Sequence, residues 1–356
     1  MGSEISQVGD TMSVETIASF LAGVGPLVDV RAPAEYRQGH IPGAINLPLF
    51  SDAERAQVGI AYKQQGRQQA VQLGLELVGP RLGPLAGQLG LIAETSDQPL
   101  RLYCWRGGMR SASVGWLAGV LELPHHRLEG GYKAFRHWVL ERFEQPWPLL
   151  LLGGRTGCGK TDILLQLEAL GSAVIDLEGL AQHRGSSFGG LGLPEQPSSE
   201  HFENRLAVEL HQLADRQPIW LEAESAQVGR CRIPAGLWSQ MQRAPVVELQ
   251  RPLEERVERL VVVYGDQGQE ALREATSRIA RRLGPQRTAT ALEAIERSDW
   301  AEACRQMLDY YDRCYDHELA KRQPDVLFSL PSDQLGDGPL ATHLFNWESG
   351  ECWGNS

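Results

Sequence analysis

Short apolar runs alternate with stretches of helical character along most of the chain. Pro26-Leu27-Val28-Asp29-Val30 predicts a buried strand, and Leu100-Arg101-Leu102-Tyr103 predicts another that ends at Cys104. Ser111 to Leu121 carries the small and apolar residues of a packed helix. Strand and helix in alternation predict a parallel α/β sheet over residues 12–145. Two prolines within Gln145-Pro146-Trp147-Pro148 stop regular structure and mark a linker. The unbroken apolar run Leu149–Leu152 then leads into a glycine-rich turn and opens a second α/β unit, residues 146–330. In that unit Phe202, Leu206, Leu210 and Leu213 recur at helical spacing. Ala173-Val174-Ile175, Pro218-Ile219-Trp220-Leu221 and Val246-Val247-Glu248-Leu249 read as strands, residues 251–320 as largely helical, and Val326-Leu327-Phe328 as a last strand. Residues 331–356 are polar and glycine-rich and are expected to form a flexible tail.

A chain of 356 residues is long enough for two domains with separate cores. Hydrophobic residues at 42% and charged residues at 22% describe a globular protein. No run of 18 apolar residues occurs, so no membrane span is expected. The opening MGSEISQVGD lacks a basic region followed by an apolar one, so a cytoplasmic location is expected. The net charge of −11 disfavours non-specific nucleic-acid binding over the whole surface and leaves a local basic patch open. Six cysteines stand at 104, 158, 231, 304, 314 and 352, with no CxxC pair and no Cys/His zinc spacing. No metal site is expected from them. Five read as reduced, small buried hydrophobes.

Cys104 is different, because it follows an apolar strand and opens the loop CWRGGMRS. A loop between strand and helix turns backbone N–H groups inward, and Arg110 with the following helix N-terminus adds positive potential. Both favour thiolate over thiol. Such a cradle suits a nucleophile that accepts sulfur, selenium or a phosphoryl group. The bland alternative is an inert cysteine at a strand end. The run LVDVRAPAEYRQGHIPGAINLPL, residues 27–49, closely resembles the rhodanese family signature. That resemblance implies that Asp29 and Arg31 support the active loop, together with its glycines Gly107 and Gly108. Sulfurtransferase members space the cysteine and the basic residue as C-x4-R. Here the spacing is C-x5-R, from Cys104 to Arg110, as in Cys-dependent phosphatases. A general acid for a phosphatase is not evident in the sequence.

Gly154-Arg155-Thr156-Gly157-Cys158-Gly159-Lys160-Thr161 satisfies GxxxxGK[ST], after a predicted strand and before the predicted helix Asp162–Leu170. That context is what distinguishes a phosphate-binding P-loop from a chance match. Gly154, Gly157 and Gly159 let the backbone wrap a phosphate, Lys160 adds a point charge, and Thr161 is placed to ligate Mg²⁺. The motif does not choose ATP over another di- or triphosphate. Asp176 follows one predicted strand, and Glu222 and Glu224 follow another. Strand ends carry ligands in open α/β sheets. Each acid is therefore a candidate for a metal or a base, with solvation or helix capping as the equal alternative.

Both motifs in one chain, with Tyr62–Gly66, Glu129–Lys133, Asp176–Ala181, His183–Gly189, Glu222–Ser225, Arg281–Gly284 and Tyr310–Asp312, resemble the bacterial tRNA 2-selenouridine synthase family over residues 15–330. Ala223 departs from the acidic residue more usual there. The implied fold is α/β: an N-terminal rhodanese-like parallel-sheet domain, then a P-loop NTPase-like α/β domain with a helical C-terminal part. The resemblance implies a transferase acting on the anticodon region of tRNA that carries 2-thiouridine at the wobble position. The sulfur is first geranylated by geranyl diphosphate and then replaced by selenium from selenophosphate, with Cys104 carrying selenium as a selenenyl sulfide. No tightly bound cofactor is implied, Mg²⁺ is compatible, and a selenophosphate-supplying enzyme is an expected partner. His183, Arg184, Ser186 and Ser187 become candidate phosphate or tRNA contacts, because loops carry binding residues disproportionately. Arg278, Arg281, Arg282 and Arg287 form a local basic cluster suited to an RNA backbone or a diphosphate, or else a solvated helix face. The competing enzyme reading joins a rhodanese-type sulfurtransferase or Cys-dependent phosphatase to an ATP-dependent small-molecule kinase. A non-enzymatic sulfur-carrier or adaptor leaves the intact Cys104, Arg110 and Lys160 unexplained.

Overall fold

A computed structural model describes residues 12–322, 327–331 and 336–348. The chain divides into two compact units, one up to Glu141 and one from Arg142 onward.

In chain order the first unit comprises β1 (Met12–Glu15), α1 (Ile17–Ala22), β2 (Leu27–Asp29), α2 (Pro33–Gln38), β3 (Ile45–Asn46), α3 (Asp52–Gln64), α4 (Arg67–Val78), α5 (Leu82–Ala93), β4 (Leu100–Tyr103), α6 (Met109–Val120), β5 (His125–Leu128) and most of α7 (Gly131–Glu144). The strands form one parallel sheet in the order β1-β5-β4-β2-β3. Val28 and Val30 on one side of the active loop's support, and Leu100, Leu102, Val114, Leu117 and Ala118 near its stem, join Leu49, Phe50 and Leu89 in one core. Strand β5 reads HHRL and escapes a hydrophobicity pattern. It is specified by pairing between β1 and β4, with half-polar side chains along its length. Helix α3 starts on a reciprocal cap between Ser51 and Glu54, which satisfies otherwise orphaned N–H groups.

The second unit comprises β6 (Leu149–Gly154), α8 (Lys160–Leu170), β7 (Ala173–Ile175), α9 (Leu177–Ala181), α10 (Ser199–Gln212), β8 (Ile219–Glu222), β9 (Gln227–Val228), β10 (Cys231–Arg232), α11 (Ala235–Arg243), β11 (Val246–Gln250), α12 (Leu253–Tyr264), α13 (Gln269–Leu283), α14 (Pro285–Glu296), α15 (Trp300–Leu319), β12 (Leu327–Pro331) and α16 (Asp337–Glu348). Its main sheet is parallel in the order β12-β11-β6-β8-β7, and β9 and β10 form a small antiparallel pair. Strand β6 lies at the centre and is buried throughout, which explains its continuous apolar run. Helices α12 to α15 build a separate core around Tyr264, Leu272, Ile279, Ile295 and Met307.

Two sequence expectations are corrected. The unit boundary falls before the Gln145–Pro148 linker, because the end of α7 packs in the second unit: Phe143 is buried, and its carbonyl accepts a hydrogen bond from Gln240 Nε2 at 3.1 Å. The expected tail contains helix α16, whose Leu340, Ala341 and Leu344 are buried with Ile163, Leu164 and Leu167 of α8. Glu348 anchors its end by accepting from Trp220 Nε1 and Ser172 Oγ, both at 2.7 Å. The apolar stripe of α16 is short and set among glycines and polar residues, which hides it from composition. The rest of that tail, residues 332–335 and 349–356 with Cys352, lies outside the described residues, as does Val326.

Candidate active sites

The first site is the loop that leaves β4. Cys104 stands at the end of this buried strand and is itself 3% exposed. The next turn bends through Gly107 at φ +63° and enters α6 at Met109. None of the backbone N–H groups of residues 105–110 donates to a backbone carbonyl among the described residues. These are the orphan donors of a helix entrance, and they are what an anion cradle requires. The loop is clasped from behind: Tyr132 N–H donates to the Cys104 carbonyl at 2.8 Å, and Lys133 N–H to the Trp105 carbonyl at 2.9 Å. A Cβ at Gly131 would meet the Cys104 carbonyl oxygen at 2.2 Å, so only glycine permits this approach.

Beneath the loop Asp29 and Arg31 are wholly buried and form a multiply bonded ion pair. Arg31 Nη2 reaches Asp29 Oδ2 at 2.6 Å, Nε reaches Oδ1 and Oδ2 at 3.0 and 2.9 Å, and the Arg31 N–H donates to Oδ1 at 2.9 Å. Arg31 also donates to the Gly39 carbonyl and lies 3.8 Å from the centre of the Tyr132 ring. The pair thus ties β2, the turn after α2 and the start of α7 under the loop stem. Burial opposes the Arg31 charge, and the Asp29 hydrogen bond and charge outweigh it, so its pKa is raised.

Arg110 is held by a residue that the loop motif does not contain. Glu35 accepts from Arg110 Nη1 at 2.6 Å and from Nη2 at 3.2 Å. Burial pushes the Glu35 carboxyl up, but the Arg110 bonds and charge more than offset it and hold it below its ordinary value. Ser111 Oγ lies 3.3 Å from Cys104 Sγ and 3.2 Å from the Gly108 carbonyl. Sequence reasoning missed both residues. The available signals were the acidic residue of Ala-Glu-Tyr and the hydroxyl directly after Arg110.

The second site is the P-loop. Gly157 and Gly159 adopt φ +85° and +84°, and α8 begins at Lys160. Lys160 Nζ folds back to the Gly154 carbonyl at 2.9 Å, and Thr161 Oγ1 donates to Glu178 Oε2 at 2.9 Å. These residues line a cavity of about 420 Å³ together with Arg184, Gly185, Ser186, Glu224, Arg259, Tyr264, Tyr311 and Tyr315. Glu178 and Glu224 converge beneath Gly185, where an added Cβ would lie 3.1 Å from Glu178 Oε1 and 2.8 Å from Glu224 Oε2. Burial raises the Glu178 carboxyl, Glu224 raises it further, and Lys160 offsets only part, leaving its pKa at about 8. Burial would lower Lys160, but Glu224 and Glu178 reverse the sign and keep it charged. Glu178 was also missed from sequence, although it lies two residues beyond the strand-end Asp176.

The cavity brings together Gly154, Gly157, Gly159, Lys160, Thr161, Arg184, Ser186 and Glu224 from the sequence candidates. It leaves others outside. Asp176 is the N-cap of α9 and accepts from Gly179 N–H at 2.7 Å, which is the capping alternative. Glu222 is buried and accepts from Leu177 N–H at 2.9 Å. Burial and the Asp176 and Glu178 charges drive its pKa well up. Ser187 N–H donates to Tyr311 Oη at 2.9 Å, and burial together with Arg278 lowers the His183 pKa. Arg278, Arg281 and Arg282 lie exposed on α13, while Arg287 is ion-paired with Asp309.

A smaller cavity of about 40 Å³ adjoins the first, sharing Thr156, Ser186, Leu260, Tyr264 and Tyr311. Its remaining walls are apolar, among them Phe188, Leu272, Ile295, Trp300 and Met307.

These geometries define a two-domain enzyme class: a rhodanese-like reactive-cysteine domain followed by a P-loop domain. Family models agree in both halves, with the rhodanese-like domain matching residues 13–137 and the tRNA 2-selenouridine synthase AAA domain matching residues 147–337. The tRNA 2-selenouridine synthase of Shewanella denitrificans is 37% identical, over 87% of this chain and 93% of its own length. Those of Bordetella bronchiseptica and Ectopseudomonas mendocina are 37% and 38% identical, over 88% and 82% of this chain and 94% and 86% of their own lengths. The chain belongs to the tRNA 2-selenouridine synthase family, and it is a transferase. No helix among the described residues is long and apolar enough to cross a membrane.

Proposed function

We propose that this enzyme converts 2-thiouridine at the wobble position of tRNA to 2-selenouridine in two steps. The P-loop site alkylates the sulfur with geranyl diphosphate, and selenium from selenophosphate, made by a separate enzyme, then replaces the geranylthio group. A thiocarbonyl sulfur is a poor leaving group until it is alkylated. In the first step the bond from geranyl carbon to diphosphate oxygen breaks, the carbon–sulfur bond forms, and the base loses its N3 proton. Lys160 and the loop N–H groups stabilise the charge on the departing diphosphate. Thr161 Oγ1 and the cavity-facing side chains of Glu224 and Glu178 are hard oxygen donors that would suit a Mg²⁺ accompanying the diphosphate, a cation that would displace the proton held by Glu178.

The observation that carries the prenyl reading is the apolar cavity beside the phosphate cradle. An adenosine would bring polar edges to those walls, whereas a hydrocarbon tail matches their apolar chemistry, and the cavity of about 40 Å³ must widen to admit ten carbons. The exposed arginines of α13 supply the local basic surface that an RNA backbone requires in an acidic protein.

The test supplies the full-length protein with 2-thiouridine tRNA, geranyl diphosphate and selenophosphate, followed by nucleoside mass analysis. The wild type is expected to yield 2-selenouridine, and Cys104→Ser to stop at the S-geranyl nucleoside. Unchanged 2-thiouridine with rapid ATP hydrolysis would favour the kinase fusion instead. Loss of both steps in a folded Cys104→Ser protein would overturn the division into two sites.

A further inference from the structure

We propose that Cys104 takes the phosphoryl group of selenophosphate rather than its selenium, forming a cysteinyl thiophosphate and releasing selenide. The inference rests on selenophosphate being the selenium donor, as read above. It replaces the selenenyl sulfide that the family resemblance suggested.

Electron bookkeeping separates the two routes. Selenium in selenophosphate is already at the oxidation level of selenide, and phosphorus is fully oxidised. Attack of the thiolate on selenium would leave the phosphorus–selenium electron pair on phosphorus, giving phosphite and a more oxidised selenium. Delivering selenide from that species to C2 of the base needs two electrons that neither substrate supplies. Attack on phosphorus needs none. The sulfur–phosphorus bond forms, the phosphorus–selenium bond breaks, and selenium leaves with the electron pair, taking a proton from solvent as hydrogen selenide ion. That ion attacks C2 of the S-geranyl base and expels geranylthiolate, and its proton remains on the selenated base. Water then cleaves the thiophosphate to orthophosphate and restores the thiol.

The loop is built for a phosphoryl group. The C-x5-R spacing places six consecutive backbone N–H groups, residues 105–110, without backbone acceptors between Cys104 and its arginine. Arg110 donates from both Nη1 and Nη2 to Glu35, which occupies that end of the guanidinium and fixes its plane beside the loop. No group among the described residues accepts from Arg110 Nε–H, so a donor remains for the substrate. Ser111 Oγ, 3.3 Å from Sγ, can turn the proton that it donates to the Gly108 carbonyl toward the thiolate when that leaves phosphorus in the hydrolytic step. The sequence offers no general acid for a phosphatase, and this step needs none, because selenide departs as a stable anion.

The experiment has two arms on the full-length protein. In the first, protein and selenophosphate labelled with radioactive phosphorus are mixed without tRNA and quenched. Label on Cys104 that survives thiol reductant, or release of selenide with an equal amount of orthophosphate, is expected. Cys104→Ser should show neither. Phosphite as the phosphorus product, or selenium on Cys104 that reductant liberates, overturns the proposal. In the second arm, hydrogen selenide replaces selenophosphate with an S-geranyl-2-thiouridine oligonucleotide, against a protein-free control. Cys104→Ser should then recover at least half of the wild-type selenation. Failure of rescue, with wild type active on selenophosphate, refutes the phosphoryl route alone. A wild type inactive on this oligonucleotide with both selenium sources refutes the selenophosphate reading itself.

Discussion

Lys160→Ala is expected to lower alkylation of 2-thiouridine by geranyl diphosphate about 100- to 1,000-fold, the range seen when one preorganised charge-stabilising donor is removed. The side chain sits against Gly154 in the cradle, with its charge maintained by Glu224 and Glu178. Removing it loses the cation that meets the leaving diphosphate. Conversion of a supplied S-geranyl oligonucleotide to the seleno product should remain within about threefold of wild type, because this step uses no diphosphate departure. Single-turnover assays of the two half-reactions check the split. Equal loss in both, in protein with an unchanged thermal midpoint, would show that the sites do not divide the chemistry as proposed.

The legible part of this protein was local. Ala173–Ile175 emerges as a strand with the bounds that pattern suggests, because a fully buried parallel strand needs a continuous apolar run, and Leu100–Tyr103 does so with the half-buried Arg101 as its one polar position. The P-loop was legible because phosphate wrapping demands glycines and a lysine at fixed spacing. What stayed hidden depends on contacts between distant positions. Glu35 reaches Arg110 across 75 residues, and Glu178 reaches Thr161 across 17, neither in a repeating pattern. Asp176 looked like a site residue because it ends a strand, yet the following helix claims its carboxylate. Helix α16 was hidden by composition, since three buried residues suffice to dock it when α8 supplies the opposite surface.

Arg31→Met is expected to destabilise the N-terminal unit by about 3–5 kcal/mol, the usual cost of removing one partner from a buried ion pair. Asp29 would remain wholly buried without its partner and lose the bonds from Nε and Nη2. The Gly39 carbonyl would lose its donor, and Tyr132 the cation against its ring. Denaturant unfolding of the full chain, followed by a probe in that unit, measures the effect. Replacing both partners together, Asp29→Leu with Arg31→Met, should recover at least half of the loss, since two apolar groups leave no orphaned charge. The double variant also isolates the pair's functional role. If the ion pair only stabilises the fold, the double variant should release selenide from selenophosphate at the wild-type rate. If it positions the loop, the refolded unit should retain a rate deficit of about tenfold or more at saturating selenophosphate, because small misplacements around a reacting centre are costly. The geometry favours the deficit: Arg31 packs on Tyr132, whose N–H holds the Cys104 carbonyl, so losing the guanidinium loosens the backbone that carries the nucleophile.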